Sequence, residues 1–310
     1  MKLLILTEGG SKSGFGHITR TSAIAAAVRK LSPRSEVQFL ISGDTRAKVY
    51  AKTAGLKFVS GNWIKNWNPW EVTAKSANAL LIDSYAPLAV CKKISAANPN
   101  CFWMDDYNRL RYPGGHVLHS GRDYVILRRA FQKTSPRFQI RKHIKNVLIL
   151  LGGTGTRQTA EKIMLAILSQ AMAKDIMFHW VAPQDTADPK IPNLKIWKNL
   201  SAEKMVQLIS KSDLAVSASG QTLFELAVLG VPTIAVQTMR NQRENVRVLT
   251  KRGSLQFAGY GFNTKTIKNI LIYFKKLTNS NQRRKLSENA KKSVDRHGVD
   301  RIARLILRSA

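Results

Sequence analysis

Twice in this chain a short apolar run leads into a glycine-rich loop and then into a helix-forming segment. The first run is Leu3–Leu6, followed by Gly14-Phe15-Gly16, and the second is Val147–Leu151, followed by Gly152-Gly153. Such an order is typical of a buried strand, a tight loop and a helix. Since parallel strands are joined by helical crossovers, the pattern predicts an α/β fold built on parallel sheets.

The restart of the pattern predicts two domains, which a chain of 310 residues is long enough to fill. We place the N-terminal domain at residues 1–143 and the C-terminal domain at residues 144–310, with the basic segment Lys133–Lys145 as the linker. Each is expected to be doubly wound, and the ligand crevice to lie in a central cleft at the carboxyl ends of the strands. The final amphipathic helix is a candidate to cross back to the N-terminal domain.

The remaining apolar runs supply the other predicted elements. Strands are expected at Val37–Ile41, Leu80–Ile82, Phe102–Met104, Met177–Val181, Leu194–Ile196, Leu214–Val216 and Thr233–Val236. Helical spacing predicts helices at residues 18–31, 45–54, 88–96 and 158–171. We expect Trp63, Trp67 and Trp70 to pack in the interior, with an aromatic-lined cleft as the alternative.

Charge is the unusual property of the composition. The 50 lysines and arginines outnumber the 19 aspartates and glutamates, which gives a formal net charge of +31. Such a field attracts anionic ligands, anionic lipid surfaces or nucleic acid. The basic residues are dispersed and form no zinc-finger or RNA-binding motif, so we expect no specific nucleic-acid partner. An anionic membrane surface is a candidate partner, and a merely solvated basic surface is the alternative.

The cysteines and the lengths of the apolar runs bear on compartment and cofactors. Cys91 and Cys101 have no metal-binding or redox spacing, as expected of reduced thiols. No apolar run approaches the roughly 20 residues that span a bilayer, and the first run is too short for a signal peptide, so we predict a cytoplasmic protein. Asp105-Asp106 lacks a third hard ligand at a supporting spacing, so we expect no metal and no cofactor.

The first glycine-rich loop places His17 at the start of a helix. Glycines allow close approach of a ligand and a helix N-terminus favours negative charge, so Gly14 and Gly16 suit a phosphate group while His17 offers a proton acceptor. The loop is a poor dinucleotide fingerprint because Thr19 stands where the third glycine belongs. Capping or packing of the helix by His17 is the structural alternative.

The second half carries a comparable turn between a predicted strand and a helix. Ser219, Gly220 and Thr222 offer backbone N–H and hydroxyl donors to an anion. Glu225, one turn into the helix, is positioned to accept hydrogen bonds from a ribose diol, although a surface or capping carboxylate is the commoner role. Farther along the chain, the amides of Asn241-Gln242 offer donors and acceptors to a sugar, with helix capping as the alternative.

In their order along the chain these motifs resemble a known family. They are the G-x-G-H-x-x-R loop, Asp83-Ser84-Tyr85, Asp105-Asp106, residues 124–131, Gly152-Gly153, the segment from Ser217 to Glu225, and Asn241-Gln242. They resemble the UDP-sugar hydrolases of pseudaminic acid biosynthesis and their spore-coat-polysaccharide relatives. That family has the GT-B architecture, two Rossmann-like domains facing a central cleft, and is similar to the N-acetylglucosaminyltransferase that makes lipid II.

The resemblance implies hydrolysis of UDP-2,4-diacetamido-2,4,6-trideoxy-β-L-altropyranose to UDP and free sugar, with inversion at the anomeric carbon. His17, Tyr85 and Asn241 would be the catalytic residues. The substrate and UDP contacts would come from Gly14, Gly16, Arg20, Gly153, Ser219, Gly220, Thr222, Glu225, Gln242 and Asn245. We expect a monomer. The alternative is a GT-B glycosyltransferase that uses a UDP-sugar donor in cell-surface polysaccharide synthesis.

Overall fold

The computed structural model describes residues 1–10, 13–105, 109–119, 124–134, 139–152, 157–170, 175–183, 186 and 191–310. The chain divides into two compact units. The first comprises Met1–Arg128 together with His297–Ala310, and the second comprises Arg129–Arg296. The chain passes from the first unit to the second between Arg128 and Arg129, which is earlier than the predicted boundary between residues 143 and 144. That boundary stays a prediction.

The first unit is a parallel six-stranded sheet with helices on both faces. Its elements are β1 (Lys2–Gly9), α1 (Gly16–Leu31), β2 (Glu36–Gly43), α2 (Thr45–Thr53), β3 (Phe58–Ser60), α3 (Glu71–Lys75), β4 (Ala79–Asp83), α4 (Leu88–Ala97), β5 (Cys101–Asp105), β6 (His116–His119) and α12 (Gly298–Ser309). The strand order is β3-β2-β1-β4-β5-β6. β4 and β5 are buried along their whole length, which explains their uninterrupted apolar sequences.

The second unit repeats this plan. Its elements are α5 (Arg129–Lys133), β7 (Asn146–Leu150), α6 (Arg157–Leu168), β8 (Met177–Val181), β9 (Leu194–Trp197), α7 (Ala202–Lys211), β10 (Leu214–Ala218), α8 (Thr222–Leu229), β11 (Thr233–Gln237), α9 (Arg243–Lys251), β12 (Gln256–Tyr260), α10 (Thr264–Leu277) and α11 (Ser280–Ser293). The strand order β12-β11-β10-β7-β8-β9 mirrors that of the first sheet. The strand order reverses between β1 and β4 in the first sheet and between β7 and β10 in the second. Ligands of doubly wound sheets bind at the carboxyl ends of the strands beside such a reversal.

Three strands were not predicted, and each has a physical reason. β3 is only three residues long, and β6 begins and ends with histidine. β12 pairs with β11 through an irregularity and contains Gly259 at φ +138°. The predicted packing of the tryptophans holds for Trp63 and Trp67, which are buried in the core of the first unit, whereas Trp70 is only partly buried against it.

Helix α12 packs in the core of the first unit, where Val299, Ile302 and Ile306 are buried with the strand residue Leu3. The helix begins at Gly298, and a Cβ at this position would collide with the backbone of Val125. Among the described residues, no helix is long and apolar enough to span a membrane.

We expect Gly298→Ala to lower the free energy of unfolding by about 1–3 kcal/mol, because the neighbouring backbone must move to admit a methyl group. Chemical denaturation of the full chain measures this change. The control is Arg304→Ala on the exposed side of α12, which should stay within about 0.5 kcal/mol of the parent. A parent-like Gly298→Ala variant would show that this start of the helix tolerates displacement.

Candidate functional site

In the first unit, polar residues gather where the order of the sheet reverses. β1 leads into the loop before α1, and His17 is the second residue of that helix. Asp83 is the last residue of β4, which pairs directly with β1. Because parallel neighbours end at the same edge of a sheet, the strand end and the helix start bring these two side chains together.

His17, Arg20 and Asp83 form a buried hydrogen-bonded cluster. The Nδ1 of His17 lies 2.7 Å from Oδ1 of Asp83. Arg20 donates to the same carboxylate twice, from Nε to Oδ2 at 2.5 Å and from Nη2 to Oδ1 at 2.6 Å. Asp83 is 0% exposed and His17 is 5% exposed. With Nδ1 donating to the carboxylate, Nε2 is the nitrogen of a neutral His17 that can accept a proton.

The carboxyl group of Asp83 is held as the anion. Burial alone would raise its pKa, but the charges of Arg20 and His17 and the hydrogen bonds from both residues hold the pKa well below its ordinary range. Arg20, predicted as a substrate or UDP contact, is thus engaged with Asp83, and its contact with a ligand stays a prediction. A permanent carboxylate at this position fixes the orientation and tautomer of the histidine ring.

Tyr85 lies against the histidine and is held by two charged residues. Its ring meets that of His17 edge to face, with centroids 4.7 Å apart, and it remains 36% exposed. Its backbone N–H donates to the carboxylate of Glu8 at the end of β1. Arg109 lies 5.9 Å from the centre of the Tyr85 ring and donates to the carbonyl of Ala86 at 2.9 Å. The loop that carries Tyr85 is therefore held through both its N–H and its carbonyl groups.

The glycines of the first loop leave room beside the start of α1. Within the described part of the chain, a Cβ at Gly14 or Gly16 would meet no atom within 4 Å, and no side chain caps the helix. Phe15 stacks on Tyr50 with ring centroids 4.8 Å apart, and the hydroxyl of Thr19 lies 2.8 Å from that of Tyr50. Thr19 thus anchors the loop through packing, in the position where a dinucleotide motif has its third glycine.

In the second unit, the corresponding edge carries a buried hydroxyl and the start of α8. Ser219 follows β10, is 0% exposed, and its Oγ has no hydrogen-bond partner among the described residues. Of the described atoms, none lies within 4 Å of a Cβ placed at Gly220, and no described side chain caps α8, which begins at Thr222. Glu225 lies in the first turn of α8 and is buried. These donors suit an anionic group, because a helix start presents N–H groups and a positive dipole end.

The predicted amide side chains of Gln242 and Asn245 bond to the protein itself. The Oε1 of Gln242 accepts from the backbone N–H of Thr238 at 2.8 Å, so this amide orders the loop after β11. The Nδ2 of Asn245 donates to the carbonyl of Ser219 at 3.2 Å, which connects α9 to the turn between β10 and α8. Asn241 lies in a short 3-10 segment and is partly exposed. Their roles toward a sugar stay predictions.

Two of the remaining predicted positions, Gly153 and Asp106, lie outside the described residues. The carboxylate of Asp105 accepts the backbone N–H of Arg109, the residue beside the Tyr85 ring, at 2.8 Å. Among the residues that the structure describes, no group of three or more histidine, cysteine, aspartate and glutamate side chains is placed to hold a metal ion.

Sequence reasoning omitted Asp83, Glu8 and Arg109 from the site. Asp83 carried a usable signal, since a carboxylate that ends an apolar strand next to β1 must find a cation or hydrogen-bond donors there. Glu8 is the last residue but one of β1, but its partner is a backbone N–H, which no residue type reveals. The position of Arg109 depends on a loop whose course the sequence does not specify.

Comparison with known proteins gives three kinds of likeness. Residues 147–305, just over half of the chain, match the family described as the glycosyltransferase family 28 C-terminal domain. The chain is 24% identical over 292 residues to the spore coat polysaccharide biosynthesis protein SpsG of Bacillus subtilis, with 84% of each protein covered. The crystal structure of Acinetobacter baumannii MurG matches with a TM-score of 0.67 at 16% identity, over 99% of this chain and 100% of MurG. The predicted fold class, two doubly wound α/β domains, is confirmed.

A further relative is a Helicobacter pylori protein, named pseudaminic acid cytidylyltransferase and UDP-2,4-diacetamido-2,4,6-trideoxy-beta-L-altropyranose hydrolase. The chain is 24% identical to it over 250 residues. The match covers 78% of the chain but only 45% of the length of that protein.

Proposed function

The chain belongs to the family of the glycosyltransferase family 28 C-terminal domain, and on this premise we propose that it hydrolyses a UDP-linked diacetamido-trideoxy sugar without a metal. The products would be UDP and the free sugar, released with inversion at the anomeric carbon. The observation that carries the proposal is the buried His17–Asp83 pair, 2.7 Å apart. It supplies an oriented proton acceptor, which a water nucleophile requires.

In the proposed reaction, Nε2 of His17 takes a proton from a water molecule as the water oxygen bonds to the anomeric carbon. The bond between that carbon and the UDP oxygen breaks, and its electron pair leaves with UDP. Asp83 stabilises the imidazolium ion that forms, because it is already ionised and hydrogen-bonded to Nδ1. General-base assistance of this kind is worth about 10²- to 10⁴-fold in rate.

The leaving UDP gains negative charge, and we assign its stabilisation to the start of α8. The hydroxyl of Ser219 and the N–H groups beside Gly220 would donate to the pyrophosphate, and Glu225 would accept from the ribose hydroxyls. Support comes from the buried Ser219 hydroxyl, which has no hydrogen-bond partner among the described residues, and from Gly220, where a Cβ meets no described atom within 4 Å. Donors fixed in advance of the reaction stabilise developing charge without a cost of reorganisation.

Tyr85 and Asn241 would position the sugar and the water. Tyr85 is suited to this role because its ring is partly exposed while its loop is held by Glu8 and Arg109. Side chains fixed in this manner lower the entropy that the reacting groups lose on reaching an in-line geometry.

A glycosyltransferase is the second candidate, favoured by the resemblance to MurG over nearly the whole chain. In that reaction a sugar or lipid-linked hydroxyl would replace water. The full chain should be incubated with a panel of UDP-sugars, with and without acceptors, while UDP and the product anomer are measured. Release of UDP without an acceptor is expected. Release that strictly requires an acceptor would reject the hydrolase, and release from CMP- or GDP-sugars alone would reject the uridine assignment.

Oxygen-18 water identifies the bond that breaks. Attack at the anomeric carbon places the label in the C1 hydroxyl of the sugar and leaves UDP unlabelled. Label in UDP would instead show attack at phosphorus and would contradict the role assigned to His17. Mass spectrometry of both products after a single turnover makes the distinction.

Gly220→Val tests the assignment of the pyrophosphate. The isopropyl group would extend from a Cβ that meets no described atom within 4 Å, so the fold should persist while the ligand is displaced. We expect the KM for the UDP-sugar and the inhibition constant of UDP to rise about 10- to 100-fold. Gly220→Ala is the graded control and should have a smaller effect. A valine variant that binds UDP as tightly as the parent would show that the pyrophosphate does not bind beside Gly220.

A further inference from the structure

An exposed lysine face lies on helix α10 of the second unit. Its solvent side consists of Lys265, Lys268, Ile272, Lys275 and Lys276. At 100° per residue these five positions fall within a stripe about 100° wide, and they extend over roughly 16 Å of the helix axis. We call this stripe the lysine face.

Helices α10 and α11 offer the lysine face little compensating negative charge. Helix α10 contains no aspartate or glutamate, and α11, which follows it, contains only Glu288. No ion pair joins any of the four lysines to an acidic group among the described residues. The opposite side of α10 explains why the helix is fixed in this orientation, because Ile270 and Phe274 are buried in the core of the unit.

Ile272 distinguishes this surface from an ordinary solvated face. It is 52% exposed in the middle of the stripe, with lysines one turn before and after it. An apolar side chain surrounded by cations fits the boundary between the headgroups and the acyl chains of a bilayer. All four cations are lysines, compact point charges on flexible stems, whereas nucleic-acid surfaces favour the planar, bidentate guanidinium group.

We propose that the lysine face docks the protein on an anionic phospholipid surface, with Ile272 inserted between headgroups. Each lysine close to such a surface strengthens binding about fivefold, and salt weakens the attraction. The docking is independent of the hydrolase proposal, because vesicle binding needs neither a nucleotide sugar nor His17.

The test is sedimentation of the full chain with phosphatidylcholine vesicles, with and without phosphatidylglycerol. We expect salt-sensitive binding only to the anionic vesicles. The double variant Lys268→Gln/Lys275→Gln should weaken binding to the anionic vesicles roughly 25-fold, because each lysine contributes about fivefold. Ile272→Ser should weaken it severalfold without changing the net charge. The control is Lys204→Gln/Lys211→Gln, which removes the same charge from exposed positions at the two ends of α7.

Three results would overturn the proposal. Absence of binding to anionic vesicles is one. An equal loss in the two double variants is another, because it would assign the effect to net charge. The third is that substitutions in the lysine face weaken binding to RNA but leave binding to vesicles unchanged, because this would assign the face to nucleic acid.

Discussion

Asp83→Asn is expected to lower kcat about 10²- to 10⁴-fold while it leaves the KM for the UDP-sugar near the parent value. The asparagine removes the charge that stabilises the imidazolium ion of His17 and also frees the ring to adopt the wrong tautomer. His17→Ala should cause a loss of similar size. Because Asp83 acts through His17, the double variant should be no slower than His17→Ala alone. Steady-state release of UDP measures all three.

Asp213→Asn is the matched control for this experiment. Asp213 is also a buried aspartate and pairs with an arginine, Arg141, at 2.8 Å, but it belongs to the second unit and caps the segment before β7. Its substitution should destabilise the protein and leave kcat within about twofold of the parent, because it removes no group that contacts the substrate. A parent-like kcat for Asp83→Asn at a lowered Tm would instead reduce Asp83 to a structural anchor for Arg20.

The same carboxylate gives the stability of the protein a pH dependence. Folding lowers the pKa of Asp83, so its ionised form stabilises the native state at pH values above the ordinary aspartate pKa of about 3.9. This contribution is lost as the pH falls below that value toward the lowered pKa of the folded state. The free energy of unfolding, measured by denaturant titration between about pH 6 and pH 3, should therefore fall less steeply with falling pH for Asp83→Asn than for the parent.

How well each strand could be predicted from the sequence depends on how completely the strand is buried. The strands of both sheets that lie next to the reversal in order are buried on both faces, and their uninterrupted apolar runs made them visible in the sequence. Three of the four edge strands, all but β9, lacked that signal. β3 is short, β6 is polar at both ends, and β12 pairs irregularly with β11 and contains Gly259 at a positive φ. Edge positions bury one face at most and therefore impose less on the sequence.

At the site, residue type indicated a charged group but not its partner. His17 and Arg20 stand three residues apart in α1, and the structure shows that both side chains bond to the Asp83 carboxylate. Choosing Asp83 rather than Glu8 required the register of β1 against β4. Gln242 was predicted to contact a sugar, and this stays a prediction; in the structure its side-chain oxygen accepts backbone N–H groups. Amides serve both purposes equally well, so the residue type alone does not distinguish them.

Arg283→Ala is expected to lower the free energy of unfolding by about 3–5 kcal/mol. Arg283, in α11, is 0% exposed and donates from Nε to the carbonyl of Leu277 at 2.8 Å. Its Nη2 donates to the carbonyls of Arg141 and Lys142 at 2.9 and 3.0 Å. Alanine would leave three carbonyls without these donors and a cavity in place of the side chain. Denaturant unfolding, monitored by circular dichroism, measures the loss.

Two variants separate the causes of that loss. Arg283→Met keeps most of the side-chain volume, so the difference between it and Arg283→Ala isolates the cavity, and its remaining deficit reports the hydrogen bonds. Arg284→Ala, at the exposed next position of α11, should stay within about 0.5 kcal/mol of the parent. Burial lowers the pKa of Arg283, which shows that removing the cation from water opposes its hydrogen bonds. A methionine variant as stable as the parent would mean that this desolvation cancels the bonds, and that Arg283 contributes volume rather than net attraction.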